Sequence, residues 1–541
     1  MTLTQEQTDI INAKESSFKI NAVAGSGKTT TLLEYAQNNQ DLKILYLAYN
    51  KSLQTSLQSK LKEYQLSHMQ ISTIHSLAYR KTQAFQYKLC SDLKVQVIEQ
   101  ALCEYERVTN QRHSYFPIAE YLALIKDLVN FYCNSSHIPL DIALLNKYRK
   151  LSDLDAKVLE LLNKDENRTL THLKHILSSM KNKQCEATHD FYLKMFYLNK
   201  NLCSNLGYDL ILVDEAQDIS DVMIGIVEAQ NCRRIYIGDS FQQIYSFRYA
   251  INALHKIDLP QFDLSKSFRF GNNYAKKLEE SLNTLYESRS KTLLKISGVD
   301  TDTKTGANNI DFSQQVCVIA RTTFGLIQKI IHFINDNKKI YFEGGYSSYS
   351  FMNQTVYSIF YLKEKKLDKV TLPEIRDFES MKELEEFSKD TKNQDYLNVI
   401  KFVNTYGDNI FEINKKIKEK LTTIKKNADI IFTTTHKSKG LEYDQVIMAD
   451  DYITKKDIDN PKNKISFLRT IEELNIYYVA ATRAKKAIEL APLDLHYTYD
   501  ENEVSTFNKP KVYRKKTSGK SMKKMQDEWL KNNRLNKVNA F

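Results

Sequence analysis

Residues 18–38 read FKINAVAGSGKTTTLLEYAQN and decide the fold. Residues 18–23 have the pattern of a buried strand and residues 31–38 that of a helix, with a glycine-containing loop between them. Strand, glycine loop and helix in this order form a phosphate cradle, because the glycines let backbone N–H groups turn toward phosphate oxygens. Ala22 stands where the common eight-residue pattern has its first glycine, which weakens the pattern match but not the geometry.

The loop residues supply the groups that a nucleoside triphosphate and its cation need. Lys28 provides a positive charge for the β and γ phosphates, and the Thr29 hydroxyl can bind Mg²⁺. A glycine turn at the end of a strand can arise by chance, but Gly-Lys-Thr directly after a strand favours the phosphate-binding interpretation. The predicted nucleotide-binding residues of the loop are Ala24, Gly25, Ser26, Gly27, Lys28, Thr29 and Thr30.

A second predicted strand, residues 210–213, ends abruptly in the acidic pair Asp214 and Glu215. Ligands of α/β sheets bind at the carboxyl ends of the strands, so these acids would face the phosphates. Asp214 is predicted to hold Mg²⁺ through water, and Glu215 to orient and deprotonate the attacking water. An acidic cap on a strand is more often solvated surface when it occurs alone. Together with the upstream loop it indicates a nucleotide hydrolase.

The composition is that of a large globular protein. With 541 residues, of which 42% are hydrophobic and 26% charged, the chain is long enough for roughly three or four packed units. It lacks a run of 18 uncharged apolar residues and the charge order of a signal peptide, so we expect no membrane association and a place in the cytosol or, in a eukaryote, the nucleus. The seven scattered cysteines form no CxxC pair, which argues against a disulfide framework, a zinc ribbon or an iron–sulfur site.

Two regions alternate short apolar runs with helical stretches, the pattern of α/β domains with parallel sheets. The runs with strand character lie at residues 18–23, 43–48, 210–213 and 234–238 in the first region, and at 315–320, 429–433, 445–450 and 487–490 in the second. Residues 85–185 interrupt the first region with helical periodicity, and residues 340–425 interrupt the second with a mixed pattern rich in Lys, Glu and Tyr.

A further predicted strand runs into Asp239 and then into Ser-Phe-Gln-Gln-Ile-Tyr-Ser-Phe-Arg at residues 240–248. This series resembles the UvrD/PcrA/Rep-type superfamily 1 DNA helicases, whose motifs occur in the family order over about nine-tenths of the chain. The resemblance implies an α/β fold of two RecA-like P-loop domains with parallel sheets, each interrupted by a mostly helical inserted subdomain. The implied boundaries are 1–84 and 186–265 for RecA-like domain 1A, 85–185 for insertion 1B, 266–340 and 426–500 for RecA-like domain 2A, 341–425 for a reduced insertion 2B, and 501–541 for a basic C-terminal tail.

The resemblance also implies residues at the nucleotide beyond the phosphate loop. The motifs that contain these residues are Leu-Thr-Gln-Glu-Gln at 3–7, Ser-Phe-Arg-Phe at 267–270, the long motif at 433–443, and Thr-Arg-Ala at 482–484. In that family the positions that match Gln7 and Phe268 contact the adenine. Those that match Gln242, Arg269 and Arg483 sense or reach the γ phosphate. Those that match Gly440 and Glu442 belong to the fifth motif, and the carboxylate of the second contacts the ribose.

A third set of residues is implied for DNA. Their motifs are Tyr-Asn-Lys at 49–51, Thr-Ile-His-Ser at 73–76 and Val-Ile-Ala-Arg-Thr at 318–322, together with the segments at 245–248 and 433–443. The aromatic residues could instead take part in ordinary packing. The histidines could instead be polar residues that hydrogen-bond within the protein. The implied DNA-contacting residues are Tyr49, Asn50, His75, Tyr245, Phe247, Arg248, Arg321 and His436.

Within the superfamily, residues 188–194 and 267–271 resemble the F-box DNA helicase subgroup. The phosphate loop begins within the first 30 residues and no F-box is found, so we expect no ubiquitin-ligase adaptor. Two departures from the family concern Phe247, where many relatives have Trp, and Thr30, where many have an Arg near the base. The second departure leaves the base selectivity open.

The function that the resemblance implies is an ATP- and Mg²⁺-dependent motor on single-stranded DNA. It would travel 3′ to 5′ and act on tailed or forked duplexes in DNA repair or recombination, by separating strands or stripping bound protein. One alternative is a DNA-sensing ATPase switch that partners a separate nuclease or effector and unwinds little. A small-molecule kinase on the same loop is disfavoured by the acidic segment after residue 213 and by Thr482-Arg483.

The tail carries most of the excess positive charge. The formal net charge is +11, and residues 501–541 contain eleven Lys and Arg against four Asp and Glu. Met522, Met525 and Trp529 have helical spacing there. Two interpretations stay open: a solvated, mostly disordered tail, or an arm that docks on the motor or a protein partner while its lysines raise the affinity for DNA.

Overall fold

The structure is a computed structural model that describes residues 3–109, 119–151, 154, 156–287, 292–334, 336–349, 351, 353–391, 393–459 and 467–493. The chain divides into two compact units. The larger unit covers Met1–Glu343, Thr422–Ile453 and Asn460–Ala491, and the smaller one is built mainly from Gly344–Leu421. The predictions for the tail, residues 501–541, lie outside the described residues.

The strands and helices follow one another in α/β order. The strands are β1 (Phe18–Ala22), β2 (Ile44–Leu47), β3 (Met69–Ser72), β4 (Leu89–Cys90), β5 (Ala187–Thr188), β6 (Leu210–Val213), β7 (Arg233–Gly238), β8 (Gln261–Leu264), β9 (Lys266–Gly271), β10 (Ser297–Val299), β11 (Lys304–Thr305), β12 (Val316–Ala320), β13 (Ile340–Phe342), β14 (Ile430–Thr434), β15 (Tyr443–Met448) and β16 (Ala484–Glu489). The helices are α1 (Gln5–Ile11), α2 (Lys28–Gln37), α3 (Lys51–Glu63), α4 (Ile74–Lys81), α5 (Val95–Thr109), α6 (Ala119–Asn134), α7 (Ile142–Leu151), α8 (Ala156–Lys164), α9 (Glu166–Lys181), α10 (His189–Leu198), α11 (Lys200–Cys203), α12 (Asp221–Glu228), α13 (Ala253–Lys256), α14 (Asn272–Tyr286), α15 (Thr323–Phe333), α16 (Gln354–Lys363), α17 (Pro373–Arg376), α18 (Met381–Asp390), α19 (Gln394–Tyr406), α20 (Asn409–Lys420), α21 (Thr435–Ser438), α22 (Lys455–Asp459) and α23 (Phe467–Ala481). One-turn 3-10 helices include Ala216–Asp218, Ser240–Gln242 and Ser246–Arg248.

The first sheet of the larger unit has the order β3-β2-β6-β7-β1-β8, and its paired strands are parallel. Strands β2 and β6 are buried and apolar along their whole length because helices cover both faces of the sheet. Strand β1 includes Lys19 and Asn21, and β7 begins with two arginines. The carboxyl ends of β1, β2, β6 and β7 meet at one edge of the sheet. This edge therefore collects the loops at residues 24–30, 48–50, 214–218 and 239–248.

The second sheet of the larger unit has the order β11-β16-β15-β12-β14-β13 and is also parallel. Its strand β12 is fully buried, with the pairs Val318↔Phe432 and Val318↔Ile447 fixing the register on either side. The loops after β12, β14 and β15 carry Arg321, His436 and Asp451 to one edge. The predicted α/β fold with two parallel-sheet RecA-like domains is confirmed.

Helices α5 to α9 form the insertion in the first RecA-like domain around a core of their own, in which Ile125, Leu128 and Ile176 are buried. Asp221, at the start of α12, anchors this insertion from the first sheet's side. Its buried carboxylate accepts hydrogen bonds from the Ser136 backbone N–H and hydroxyl and from the Lys147 ammonium at 2.9 Å. Buried carboxylates of this kind are stable because cations and N–H donors surround them.

The smaller unit is helical among its described residues. Its main helices are α16, α18, α19 and α20, and apolar residues at helical spacing, such as Ile359, Leu384 and Val403, fill its core. None of the helices in the described ranges is both long and apolar enough to cross a membrane.

The strand predictions and the observed strands differ mainly at the sheet edges. All eight predicted runs contain observed strands, with ends shifted by up to three residues. Eight strands were not predicted: β3, β8, β11 and β13, each the outermost strand of a six-stranded sheet, and β4, β5, β9 and β10, which form two two-stranded sheets. Edge strands are short and only half covered, so they lack the continuous apolar run of a central strand. The helix predicted at 31–38 begins at Lys28, directly after the loop.

Candidate nucleotide site and nucleic-acid interface

The phosphate loop lies between β1 and α2 and presents the amino end of that helix. Gly25 and Gly27 have φ values of +75° and +82°, a conformation that side chains disfavour. A Cβ on Gly25 would lie 2.8 Å from the Arg269 Cβ, so the loop also needs glycine for close contact with the second domain's first strand. The Ser26 hydroxyl is buried and has no hydrogen-bond partner among the described residues. A phosphate oxygen would satisfy it.

Asp214 and Glu215 lie at the end of β6 in unequal environments, because Asp214 is buried whereas Glu215 is partly exposed. Asp214 accepts hydrogen bonds from the Tyr46 hydroxyl at 2.6 Å and from the Glu215 N–H at 2.9 Å. Burial and the charge of Glu215 raise the pKa of Asp214 to about 6. Burial acts in the same direction on Glu215, but the positive charges of Lys28 and Lys439 outweigh it and hold the pKa of Glu215 below its usual value. Glu215 is therefore the carboxylate that stays ionised as a base.

Gln217, to which the sequence reasoning gave no role, holds Glu215 in place. Its Nε2 donates to Glu215 Oε2 at 2.5 Å, and its Oε1 accepts from the Asp239 N–H at 3.0 Å. A Cβ on Gly238 would lie 2.2 Å from that oxygen, so β7 must end in glycine. Glu215 itself has φ +53°, which an L-residue adopts only under constraint from its surroundings. The sequence feature that could have indicated this contact is Gly238-Asp239, where β7 ends.

The two predicted arginine fingers come from the second domain, and Arg483 hydrogen-bonds a residue of the first. Arg483 is buried, with Nη2 3.4 Å from Gln242 Oε1 and Nη1 3.0 Å from the Leu441 carbonyl oxygen. Burial and the nearby charge of Arg269 lower the pKa of Arg483 to about 9. Arg269 donates from Nε to Glu442 Oε2 at 3.1 Å and from Nη1 to the Thr482 carbonyl oxygen at 2.8 Å. The structure thus brings the two arginines together with Gln242 and Glu442.

The residues predicted at the adenine lie on the Gly27 side of the loop. A Cβ on Gly27 would lie 2.9 Å from Gln7 Nε2 and 3.7 Å from the Phe268 ring. The Gln7 amide caps α1, accepting from the Thr4 N–H at 3.0 Å, and donates to Thr31 Oγ1 at 3.1 Å. Gln7 and Phe268 are therefore neighbours at the loop. Thr30 lies in the first turn of α2, and Gly440, with φ +82°, lies in the turn between α21 and β15.

The residues around Thr29 and Asp214 fit a Mg²⁺ ion. A hydroxyl and a carboxylate are hard oxygen ligands, and Mg²⁺ bound to nucleotides keeps few protein ligands. The raised pKa of Asp214 reflects negative charge that a cation would neutralise. The Tyr46 hydroxyl donates to Asp214 Oδ2 at 2.6 Å, which orients this candidate ligand. No group of three or more His, Cys, Asp or Glu able to hold a metal occurs in the part of the chain that the structure describes.

Two tyrosines predicted for DNA stack on each other. The Tyr49 and Tyr245 rings have centroids 5.8 Å apart and an interplanar angle of 19°, and the Arg248 guanidinium lies 5.7 Å from the Tyr245 centroid. Tyr49 follows β2, whereas Tyr245 follows β7. The two predicted aromatic residues are thus brought together at the sheet edge. The side chain of Phe247 lies outside what the structure describes.

Four other residues predicted for DNA, namely Asn50, His75, His436 and Arg321, have partners within the protein. Asn50 caps α3 by accepting from the Leu53 N–H at 2.8 Å. His75 Nε2 lies 3.2 Å from Asp190 Oδ1, and Asn134 Nδ2 donates to the other oxygen of Asp190 at 2.9 Å. Asp190 is therefore a neighbour of the predicted interface that sequence reasoning missed.

The remaining two, His436 and Arg321, are held close to the second sheet's edge. His436 Nε2 donates to the Ile244 carbonyl oxygen at 3.1 Å, and burial together with the charge of Arg321 lowers the pKa of His436 to about 4. The Arg321 guanidinium makes two 2.7 Å hydrogen bonds to the Glu473 carboxylate. The structure places both residues near the predicted interface, but with protein partners.

Taken together, the fold and the site define a P-loop nucleotide-binding protein built from two RecA-like domains. The model of the UvrD/REP helicase N-terminal domain family matches residues 3–258. This match, together with the relatives below, supports a UvrD-like superfamily 1 helicase.

Three curated relatives are similar to this chain in sequence. The chain is 28% identical over 511 residues to F-box DNA helicase 1 of Gallus gallus, covering 90% of this chain and 48% of the relative. It is 29% identical over 524 residues to F-box DNA helicase protein 1 of Schizosaccharomyces pombe, covering 90% and 57%. A probable DNA helicase II homolog of Mycoplasma genitalium is 24% identical over 335 residues, covering 57% of this chain and 44% of that protein. The chain spans about half the length of the curated relatives it matches.

Proposed function

We propose that this chain is an ATP-dependent DNA helicase, a motor that moves 3′ to 5′ on single-stranded DNA and separates strands or strips bound protein during repair or recombination. The observation that carries the proposal is the contact between Arg483 of the second RecA-like domain and Gln242 of the first, 3.4 Å apart in a buried position. A γ phosphate bound at Lys28 would lie on the first domain's side of that contact. Hydrolysis would then depend on how the two domains meet.

The proposed chemistry uses residues from both domains. Lys28 and the loop N–H groups bind the phosphates, while Ser26 and Thr29 offer hydroxyls. Thr29 and Asp214 would hold Mg²⁺, which would supply positive charge at the phosphates. Glu215 orients and deprotonates the attacking water, kept ionised by the cations around it.

The second domain completes the charge-stabilising shell. Arg269 and Arg483 add positive charge where negative charge develops in the transition state, which lowers the barrier because the site is buried. Gln7, Phe268 and Glu442 are proposed to hold the base and the ribose. Because residues of both domains are needed to complete the site, turnover depends on domain closure.

The proposed DNA path runs over the sheet edges that carry Tyr49, His75 and Tyr245. Stacked bases bind aromatic side chains with little sequence preference, as a motor requires. Opening and closing of the two domains would alternate their grip on the strand. We expect the protein to act where DNA is, in the cytoplasm or, in a eukaryote, the nucleus.

The test measures ATP turnover with and without single-stranded DNA, and unwinding of 3′-tailed, 5′-tailed and blunt duplexes. DNA-stimulated turnover with unwinding of the 3′-tailed duplex alone supports the proposal. Stimulated turnover without unwinding of any duplex would favour the DNA-sensing switch instead. Turnover that DNA leaves unchanged would rule out both.

A further inference from the structure

Each residue of a short segment of the first RecA-like domain, residues 242–246, hydrogen-bonds the second RecA-like domain. It lies between two 3-10 helices, Ser240–Gln242 and Ser246–Arg248. The contacts are Lys439 Nζ to the Gln242 carbonyl oxygen, Asn475 Nδ2 to the Gln243 carbonyl oxygen at 3.0 Å, His436 Nε2 to the Ile244 carbonyl oxygen at 3.1 Å, Tyr245 OH to the His436 carbonyl oxygen at 3.2 Å, and the Ser246 N–H and hydroxyl to the Glu472 carboxylate at 3.0 and 2.5 Å.

The first domain also contacts this segment, through Gln242 Nε2 donating to Asp239 Oδ2 at 2.7 Å and through the Tyr49 ring stacked on Tyr245, and it holds the chain on either side. Before it, Asp239 accepts from the Phe241 N–H at 3.1 Å. After it, the Tyr249 hydroxyl donates to Asp127 Oδ1 at 2.6 Å, and the Ile251 N–H donates to the Ile219 carbonyl oxygen at 2.8 Å. Three consecutive carbonyls of a first-domain loop are therefore satisfied by second-domain side chains.

The two ends of the segment face different sites. At the Gln242 end, Lys439 also forms an ion pair with buried Asp218, in the acidic segment after β6. At the Ser246 end lie Tyr245 and Arg248, proposed for DNA. The segment thus runs from the nucleotide side to the proposed DNA side.

We propose that Glu472 is a positioning residue that ties the DNA end of this segment to the second RecA-like domain, so that the segment follows that domain as the nucleotide site closes. The inference rests on the proposed function as a DNA motor. Glu472 suits this role because both of its carboxylate oxygens are used by one residue, Ser246, and bonds from neutral donors to a charged acceptor are strong. Glu472 touches no residue proposed to contact the nucleotide, so its loss changes position rather than chemistry.

The experiment compares Glu472→Ala and Glu472→Gln with the wild-type chain. The glutamine variant keeps one oxygen for the Ser246 N–H and offers an N–H to its hydroxyl, so it serves as the conservative rescue. Lys329→Ala is the matched control, because it breaks an exposed ion pair with Asp450 in the same domain without touching the segment. Each variant is examined by amide hydrogen exchange over residues 242–249 and by ATP turnover across a titration of single-stranded DNA.

For Glu472→Ala we expect basal turnover close to wild type, about tenfold faster exchange of the Ser246 amide, and about a tenfold higher DNA concentration for half-maximal stimulation. Glu472→Gln should restore most of both effects, and Lys329→Ala should change neither. Unchanged exchange in Glu472→Ala would show that the anchor is absent. Faster exchange with wild-type DNA stimulation would show that the anchor does not position the DNA site. A wild-type chain that DNA does not stimulate would instead overturn the proposed function, while the exchange data would still report the anchor.

Discussion

The Tyr478 hydroxyl of the second RecA-like domain lies 3.1 Å from Asp239 Oδ2 and 3.1 Å from the Ala24 backbone nitrogen, both in the first. It donates to the carboxylate and accepts from the phosphate loop. Burial raises the pKa of Tyr478 well above its usual value, so the hydroxyl stays protonated as a donor. One buried hydroxyl therefore joins the loop, the strand end after β7 and the helix α23 that leads to Arg483.

Tyr478→Phe should remove the hydrogen bonds by which this hydroxyl joins the three elements. The change leaves the Ala24 N–H without its partner and removes one of the two donors to Asp239 Oδ2, where Gln242 Nε2 still donates at 2.7 Å, at a cost of about 1–3 kcal/mol. We expect a lower thermal midpoint and a lower kcat. Tyr477→Phe is the matched control, because Tyr477 donates to the Ala491 carbonyl oxygen at 2.7 Å within the second domain. Equal losses of kcat in the two variants would contradict a specific role for Tyr478.

Lys28→Ala and Glu215→Gln should each abolish most ATP turnover. The charge stabilisation and water positioning that they remove are worth on the order of 3 kcal/mol each, about a hundredfold in rate. Glu215→Gln should still bind nucleotide, because the loop is intact and the amide can still pair with Gln217. A binding titration beside steady-state turnover checks both statements, and near-normal turnover in either purified variant would refute the assignment.

Arg269→Ala and Arg483→Lys should lower turnover far more than nucleotide affinity. Contacts made mainly in the closed state stabilise the transition state rather than the bound substrate, so we expect about a hundredfold loss of kcat with Kd changed by no more than about threefold. Lysine at position 483 keeps the charge in a fully buried place and limits damage to folding. Loss of nucleotide binding with unchanged turnover per bound ATP would contradict the closure mechanism.

The pH dependence of turnover should respond to Mg²⁺. Because the pKa of Asp214 is raised to about 6, this carboxylate takes up a proton as the pH falls through 6, well above the range of an exposed Asp. Protonation competes with the cation, so the acidic limb of kcat/KM should lie near pH 6 at low Mg²⁺ and move to lower pH as Mg²⁺ increases, by up to about one pH unit per tenfold. Profiles measured at two Mg²⁺ concentrations test this, and a limb that does not move would argue against Asp214 at the metal.

Deletion of residues 501–541 should weaken DNA binding and spare ATP turnover at saturating DNA. Each lost phosphate contact should reduce the slope of log affinity against log salt by about 0.7 for single strands. Binding titrations at several salt concentrations give the slope for both chains. An equal slope would leave only the docking or disordered interpretations of the tail.

Local patterns in the sequence determined the strands and the phosphate loop. Strand β6 is buried on both faces and apolar at every position, so an apolar run that ends in Asp214 and Glu215 is visible without any partner. The glycines at 25 and 27 are required by backbone conformation, which is also local. The order of these segments was enough to predict two parallel-sheet domains.

Tertiary structure alone decided which side chains meet between the domains. Glu472 and Ser246 are 226 residues apart, and Lys439 and Asp218 are 221 apart, so no spacing rule connects them. The same holds for Arg321, whose pairing with Glu473 is invisible in its own motif. Edge strands such as β3 and β13 were missed for a related reason, since what stabilises them is the neighbouring strand. Local conformation is encoded in adjacent residues, whereas a contact between distant segments exists only once the sheets have assembled and buried the groups that must then find partners.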